Sequence, residues 1–507
     1  MKPVYLIVIA LIALNVLVFA QLASHSFVNY DDGEYIYRNA NVKAGLSGPS
    51  LAWAMTATQS GWFPLTWISH MTDASVWGLR AGAHLLTNLA LHIISTLLLF
   101  FALYRMTGAI GRSAFVAALF AIHPMHVESV AWASERKDTL STLFAILALL
   151  FYARRRMVLV AIAMALSLLA KQTYVTLPFV LLLLDDWPLR RTRNVKEKVP
   201  LFALTILGSI AAVAGQRSMN AIQSVESLPI GDRLANAALA YVRYLGKLVW
   251  PDNLSVIYPM HAISMPVAAG AFVLLALITA GAFAVRKRFP YVLTGWLWFT
   301  GTLVPVIGIV QIGGQAMADR YTYFAYIGLF LIVAWGAVDI ANALLVPRRV
   351  LAAIAMVVIS AFAYTAWRQA ATWKNTETLF TQALEATGQN PLADYSLAHD
   401  LELRDPDRAI EHYKSSIASI EAAARANPDA PIPSWYSQSY GGIGASLIVL
   451  AQKKPRAEEQ VLLLDNAIVA LSKAIQLDPR AENAQRNLAL ARQLKANAAP
   501  RVDPRQQ

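Results

Sequence analysis

Residues 82–104 read GAHLLTNLALHIISTLLLFFALY, and this stretch decides the fold because it contains no Asp, Glu, Lys or Arg. A helix of this length is long enough to cross the hydrocarbon core of a bilayer, which is roughly 30 Å thick. The stretch therefore predicts a membrane-spanning helix.

The composition of the whole chain agrees with a membrane protein. Hydrophobic residues make up 57% of the 507 residues and charged residues 15%, against about 25% charged in soluble chains. The formal net charge of +12 is interpreted first as cytoplasmic loops that face anionic lipid. Nucleic-acid binding is the second interpretation, and we expect no nucleic-acid partner. The chain has no cysteine, which excludes disulfides, thiolate nucleophiles and cysteine metal sites.

Apolar runs recur along the first 367 residues, and we interpret them as eleven spans. Residues 237–250 are placed at the membrane interface. Residues 4–22 lack a small-x-small cleavage site, so they are interpreted as an uncleaved signal anchor. The eleven runs are 4–22, 82–104, 113–122, 139–153, 157–170, 173–185, 199–215, 265–285, 290–311, 321–345 and 350–367.

The basic residues orient this array. Lys2 and the clusters at 105–112, 154–156, 190–198, 286–288 and 348–349 share one side, which the positive-inside rule makes cytoplasmic. The first loop, the loop after residue 122 and everything beyond residue 367 then lie outside. Counting 237–250 as an additional span would place every later basic cluster outside, which is why this segment is left interfacial.

The chain beyond residue 367 has an amphipathic, soluble pattern. Its strongest repeat signal ends at Pro479, and a looser copy precedes it. Alanines at fixed positions of such a repeat let paired helices approach closely, as in tetratricopeptide repeats. The positions concerned are Leu397, Ala398, Ala409, Tyr413, Ala467, Leu471, Ala474, Pro479, Leu488 and Ala489. We predict a membrane domain at 1–367, a repeat domain of TPR type at 368–495 and a disordered tail at 496–507.

Three carboxylates follow the first span closely, at Asp31, Asp32 and Glu34. Asp-Asp-Gly also suits a solvated acidic turn, which is the structural alternative. A carboxylate just outside the first membrane helix can act as a general base on a hydroxyl held near the bilayer. Asp31 is the first candidate for this role and Asp32 the second.

The second outer loop carries His123, His126 and Glu128, followed by Arg136 and Lys137. The first three could ligate a divalent metal, but Pro124 breaks simple helical spacing and no further ligand is evident. No metal is therefore assigned. The two cations could neutralise a phosphate, or they could anchor the chain at the interface.

Two further cations, Lys171 and Arg320, lie next to apolar spans on the outer side. Ionisable residues at membrane depth are costly and mark functional sites, although Asp319 with Arg320 also suits a structural ion pair. His84, Asn88 and His92 recur every four residues and form one polar stripe. Hydrogen bonding between helices is the first interpretation of this stripe, and substrate contact is the second.

These motifs occur in an order that resembles a known family. Tyr30-Asp31-Asp32 is followed by Phe63-Pro64-Leu65-Thr66, the 84–92 stripe, the His123-Pro124 to Arg136-Lys137-Asp138 string and Asp319-Arg320-Tyr321. Together with C-terminal repeats, they resemble the transmembrane-and-TPR-containing O-mannosyltransferases and their bacterial relatives, within the GT-C glycosyltransferases. The resemblance covers nearly the whole chain, which departs from the animal members in having few, irregular repeats.

The resemblance implies an all-α membrane bundle of GT-C type and an inverting transfer of a sugar from a polyprenyl-phosphate donor to a hydroxyl of a protein or glycan. Asp31 would be the base, and Arg136, Lys137, Lys171 and Arg320 would bind the donor phosphate. Substrate-binding or structural roles would fall to His84, His123, His126, Glu128 and Asp319. We expect a bacterial inner-membrane protein with a periplasmic repeat domain. The alternative is a non-catalytic membrane scaffold that presents repeats to an envelope complex.

Overall fold

The computed structural model describes residues 2–58, 61–192, 194–218, 228–311, 313–426 and 432–498. These residues are almost entirely helical and contain no β-strand. The chain divides into two compact units, Met1–Asn375 and Thr376–Gln507. The boundary lies beyond the predicted residue 367 because one helix continues from Arg348 to Thr372.

The first unit is a bundle of α-helices joined by loops that contain short 3-10 turns. Its α-helices are α1 (Lys2–Phe19), α2 (Ala40–Lys43), α3 (Gly48–Thr56), α4 (Pro64–Trp77), α5 (Ala81–Thr107), α6 (Ile110–Ile122), α7 (Val127–Ala131), α8 (Arg136–Ala153), α9 (Met157–Ala170), α10 (Leu177–Asp186), α11 (Val199–Ser218), α12 (Ile230–Val249), α13 (Met265–Val285), α14 (Pro290–Leu303), α15 (Thr322–Ala343) and α16 (Arg348–Thr372).

Among the described residues, seven helices are long and apolar enough to cross a membrane, or eight if the bent pair α6 and α7 forms one span. One of the seven is Ala457–Leu477, in the second unit. The helices over the predicted spans at 139–153, 157–170, 173–185 and 290–311 fall short of this length or carry too many charges. The chain is therefore a multi-pass membrane protein, and the count of eleven stays a prediction.

Two glycines let α14 and α15 touch backbone to backbone. A Cβ atom on Gly295 would lie 2.3 Å from the carbonyl oxygen of Gly328, and one on Gly328 would lie 2.4 Å from that of Gly295. Small residues at such crossings are the usual means of close helix packing in membranes. This contact fixes α15, whose N-terminal end carries the polar loop described below.

The second unit is a run of helices in which each packs on the next. They are α17 (Thr376–Thr387), α18 (Pro391–Leu401), α19 (Pro406–Ala426), α20 (Trp435–Lys453), α21 (Ala457–Leu477) and α22 (Glu482–Ala498). Ala467, Leu471 and Ala474 are buried in its core, and Gly444 lets α20 approach Leu471. The assignment to the tetratricopeptide family stays a prediction. Of the predicted tail, 496–498 belong to α22 and the rest lies outside the described residues.

Candidate active site

A polar cleft of about 380 Å³ lies among the loops of the first unit. Its walls come from the loop after α1, the turn before α8, the end of α9, the loop after α14 and the turn before α15. Its charged and aromatic lining includes Tyr30, Asp31, Glu34, Tyr35, Trp132, Glu135, Lys137, Lys171, Arg320 and Tyr321. Three cations and a candidate base from the sequence motifs therefore meet in one cavity.

The two neighbouring aspartates occupy different environments. Asp31 lines the cleft and is half-buried. Asp32 is buried, and its carboxylate accepts hydrogen bonds from the amide of Val28 (2.9 Å), the amide of Ser134 (3.0 Å) and the hydroxyl of Ser134 (2.6 Å). Asp32 thus ties the first outer loop to the second, whereas Asp31 faces the space that a ligand can enter.

Burial controls the acidity of both aspartates. The low-dielectric surroundings raise the pKa of Asp31, while Lys137 opposes the rise and Glu135 adds to it. Burial likewise raises the pKa of Asp32 to about 6, and the hydrogen bonds from Ser134 oppose that shift. A raised pKa makes the Asp31 carboxylate a stronger base than an exposed aspartate.

Glu135 is the centre of the ionised part of the cleft. Its carboxylate lies 3.1 Å from Lys137, 3.2 Å from Lys171 and 3.4 Å from Arg320. Burial alone would raise its pKa, but these three cations lower it. Glu135 is 2% exposed, whereas the side chains of Lys171 and Arg320 are 15% and 10% exposed. The acid therefore lies behind the cations and keeps them together against their mutual repulsion.

Arg320 is held by acids from the second loop rather than by its neighbour. Its guanidinium pairs with Glu128, and its backbone amide donates to the same carboxylate at 2.9 Å. Asp319 instead accepts a hydrogen bond from the hydroxyl of Tyr258 at 2.8 Å. The Asp319–Arg320 ion pair considered from the sequence is thus not formed in the described structure.

Aromatic rings complete the cation side of the cleft. The ammonium group of Lys137 lies 4.4 Å from the ring centre of Tyr35, and the guanidinium of Arg320 lies 5.5 Å from that of Trp132. Trp132 stacks on Tyr30 at 5.1 Å. These contacts hold the cations in place and line this side of the cleft with aromatic rings.

Arg136 lies outside the cleft, although the sequence made it one of the four candidate phosphate ligands. Its side chain is fully buried, and it donates to Ser69 at 2.8 Å, to Asp73 at 2.7 Å and to the Asn88 side chain. The backbone carbonyl of His84 also accepts from it. All these partners belong to the protein, so Arg136 links α8 to α4 and α5 and does not face the cleft.

The polar stripe of α5 binds neighbouring segments. The Asn88 amide donates to the carbonyls of Val130 and Trp132, at 3.3 and 2.8 Å. His92 contacts the hydroxyl of Tyr323 at 2.6 Å and the carbonyl of Ala121 at 3.0 Å. These contacts correspond to the hydrogen-bonding interpretation of the stripe.

The second-loop histidines are also engaged by the protein. His123 contacts the carbonyl of Leu248 at 3.1 Å and accepts from the amide of Met125, and His126 contacts the carbonyl of Phe120 at 2.8 Å. Because Glu128 pairs with Arg320, the described residues do not assemble these three side chains as a metal site.

Glu135 and Tyr258 were not identified from the sequence as residues that contact the candidate site. Glu135 directly precedes the Arg136-Lys137 pair, and an acid beside two cations near a span was the available signal. Tyr258 gave no signal, because its contact with Asp319 joins residues 61 positions apart.

The fold and the cleft define a multi-pass membrane protein with an ionised, aromatic-lined cavity at the ends of its helices. No protein-family profile matches the chain. It is 29% identical over 179 residues to Protein O-mannosyl-transferase Tmtc1 of Drosophila melanogaster, which covers 32% of this chain and 21% of that protein. It is 33% identical over 135 residues to Protein O-mannosyl-transferase Tmtc2 of the same organism, which covers 25% and 14%. The chain thus matches about a fifth or less of the length of these relatives and is distantly related to them.

Proposed function

We propose that the protein is a membrane glycosyltransferase of GT-C type that moves a sugar from a polyprenyl-phosphate donor to a Ser or Thr hydroxyl of a protein, with inversion. The observation that carries the proposal is the meeting of Asp31 with Lys137, Lys171 and Arg320 around one cleft. The distant similarity to two O-mannosyltransferases supports it and makes mannose the first sugar to test.

Asp31 is the proposed general base. Its carboxylate takes the proton of the acceptor hydroxyl as the hydroxyl oxygen forms a bond to the anomeric carbon. The bond from that carbon to the phosphate oxygen breaks, and its electron pair leaves with the lipid phosphate. Attack from the side opposite the phosphate inverts the anomeric centre. General base catalysis of this kind contributes about 10²- to 10⁴-fold to a rate.

The three cleft cations stabilise the departing phosphate. Negative charge grows on the phosphate oxygens as the sugar bond breaks, so cations held in place beforehand stabilise the transition state more than the ground state. Arg320 can hold two phosphate oxygens at once, whereas Lys137 and Lys171 act as point charges. Glu135 holds these groups together before the donor arrives.

The second unit is proposed to position the acceptor. Arrays of paired helices commonly bind extended polypeptides along their surface. We expect the unit to lie on the outer side of the membrane, where the donor sugar is displayed. A polyprenyl-phosphate donor anchored in the bilayer needs no soluble nucleotide site.

The test uses purified full-length protein in lipid nanodiscs, with polyprenyl-phosphate mannose and then other polyprenyl-phosphate sugars as donors. We expect transfer to a Ser- or Thr-containing peptide, with the opposite anomeric configuration in the product, measured by mass spectrometry and NMR. Glycoproteomics of a strain lacking the gene identifies the native sugar and acceptor. No transfer or donor hydrolysis with any sugar, together with an unchanged glycoproteome, would favour the non-catalytic scaffold.

A further inference from the structure

A second polar cluster lies inside the first unit, away from the cleft. It consists of His70 and Asp73, one turn apart on α4, and His84 in the first turn of α5. One ligating atom from each residue lies within 4.8 Å of the others, and all three side chains are buried. No step proposed above uses this cluster.

The position of His84 implies a cation in the cluster. Its Nε2 lies 3.1 Å from the carbonyl oxygen of Gly78, and a carbonyl only accepts, so Nε2 carries a proton. In the neutral ring the other nitrogen, Nδ1, then bears a lone pair. That lone pair lies 3.5 Å from Oδ2 of Asp73 and has no hydrogen-bond partner. A lone pair facing a carboxylate is repulsive unless a positive charge lies between them.

His70 supplies a second, independent observation. Its ring is fully buried, and neither of its nitrogens has a hydrogen-bond partner in the structure. The ring lies nearly parallel to that of His84, with centroids 5.7 Å apart. A buried polar group without a partner is costly, and buried imidazoles are normally bonded. The geometry leaves both the His70 nitrogens and the His84 Nδ1 available to one ligand.

We propose that His70, Asp73 and His84 bind a divalent first-row metal ion, with Zn²⁺ as the first candidate. Two imidazoles and one carboxylate are a common donor set for such ions. A tetrahedral ion with bonds of about 2.0–2.2 Å would draw the three donor atoms to roughly 3.3 Å from one another. The bond from His84 Nε2 to a backbone carbonyl is the outer contact that fixes the ring of a ligating histidine.

Arg136 determines the charge at this site. Its guanidinium lies 2.7 Å from Oδ2 of Asp73 and neutralises that carboxylate, while Oδ1 accepts a hydrogen bond from the hydroxyl of Thr87 at 3.0 Å. The ion therefore binds the second lone pair of Oδ2, the atom that faces Nδ1 of His84. The fourth position would hold water or hydroxide, and hydroxide would offset part of the remaining positive charge. Asp73 then connects the metal through Arg136 and Asn88 to the carbonyl of Trp132 in the cleft wall. The metal thus has a structural role, joining α4 to α5 behind the cleft.

The experiment measures the metal content of tag-free, full-length protein purified in detergent. Cells are grown with Zn²⁺, Mn²⁺, Fe²⁺, Co²⁺ and Ni²⁺ supplied in turn, and bound metal is quantified by mass spectrometry. We expect close to one ion per chain, and an unfolding midpoint that falls when a strong chelator removes it. X-ray absorption of the loaded protein should show nitrogen and oxygen ligands that include imidazole.

His70→Gln and Asp73→Asn remove ligands, and His261→Gln removes an exposed histidine as a matched control. We expect the first two to lose the metal and the control to keep it. Where a ligand variant fails to fold, the chelator and absorption measurements on wild-type protein decide. Substoichiometric metal in wild type with every ion, and no chelator effect on unfolding, would overturn the proposal and leave a proton on His84 as the cation.

Discussion

Asp31 and Asp32 provide the sharpest test of the proposed chemistry, because one replacement should separate catalysis from stability. Asp31→Asn removes the cleft-facing carboxylate while keeping its size. Asp32→Asn makes the same chemical change one residue away, at a carboxylate that binds only protein groups. The two variants are therefore matched controls for each other.

The expected loss for Asp31→Asn is kinetic. An amide does not take a proton from the acceptor, so kcat should fall about 10²- to 10⁴-fold, which corresponds to roughly 2.7–5.4 kcal/mol of transition-state stabilisation. Donor binding should persist, since the cations are unchanged. Because burial disfavours the Asp31 carboxylate, the neutral amide should not lower the unfolding midpoint.

The expected loss for Asp32→Asn is in stability. The carboxylate accepts three hydrogen bonds, whereas an amide offers one oxygen and turns its NH₂ group towards a donor. Leaving one or two buried donors unpaired costs about 1–3 kcal/mol each. Thermal unfolding should therefore show a clearly lower midpoint, with activity lost only in proportion to the folded fraction.

The raised pKa of Asp31 sets the direction of the pH dependence. Proton binding to the carboxylate removes the base, so wild-type kcat should fall as pH decreases through this raised pKa. A group whose pKa is higher in the folded than in the unfolded state makes folding less favourable as pH rises. Asp31→Asn should consequently gain stability relative to wild type above the folded-state pKa, and the gain should vanish below the ordinary aspartate pKa of about 3.9.

Initial rates in nanodiscs at saturating donor, together with scanning calorimetry, distinguish these outcomes. Glu34→Gln, which removes another carboxylate from the cleft rim, tests whether any loss reflects charge alone. Wild-type turnover by Asp31→Asn would refute the base assignment. An equal loss in Glu34→Gln would show that net charge, and not the position of Asp31, controls the rate.

Further predictions concern topology, the second unit and two arginines. A reporter fused after Ala371 should behave as periplasmic or lumenal, and a cytoplasmic signal would overturn the eleven-span topology. A chain ended after Asn375 should lose transfer to the native acceptor but keep donor hydrolysis; undiminished transfer would leave the second unit a purely structural role. Arg320→Lys keeps the charge but loses the two-pronged phosphate contact, so kcat should fall about tenfold, or ~1.4 kcal/mol, and an unchanged kcat would exclude that contact. Arg136→Gln leaves Asp73 without its buried partner, so calorimetry should show destabilisation of about 3–5 kcal/mol; an unchanged midpoint with reduced kcat would restore Arg136 as a phosphate ligand.

Local patterns in the sequence predicted the helical architecture and part of the candidate site. Apolar run length is a property of consecutive residues, so α1, α5, α13 and α16 were recognisable. The short helices around α8 to α10 were harder to assign, because burial inside the bundle relaxes the length that a lipid-facing helix requires. The acid of the first loop and the cations near span ends were also visible as residues in unusual places.

The sequence did not show which of those residues bind other protein groups and which line the cleft, because this depends on partners that are distant in sequence. Arg136 and Lys137 are neighbours in sequence, yet the first binds Asp73, 63 residues earlier, and the second lines the cleft. The same holds for Asp32, whose partner Ser134 is 102 residues away. A motif shows that charges occur together, but only the packing shows which of them face a ligand.

The charged N-terminus of α8 has a consequence for biogenesis. Ionisable side chains entering the bilayer cost up to about 3 kcal/mol each on the scale of translocon insertion. The Arg136 partners Asp73 and Asn88 belong to α4 and α5, which emerge from the ribosome before α8. The Glu135 partners Lys171 and Arg320 emerge only later, with α9 and α15. Arg136 can therefore be paired as soon as α8 enters the membrane, whereas the ionised cleft is completed only when the last of these helices has been synthesised.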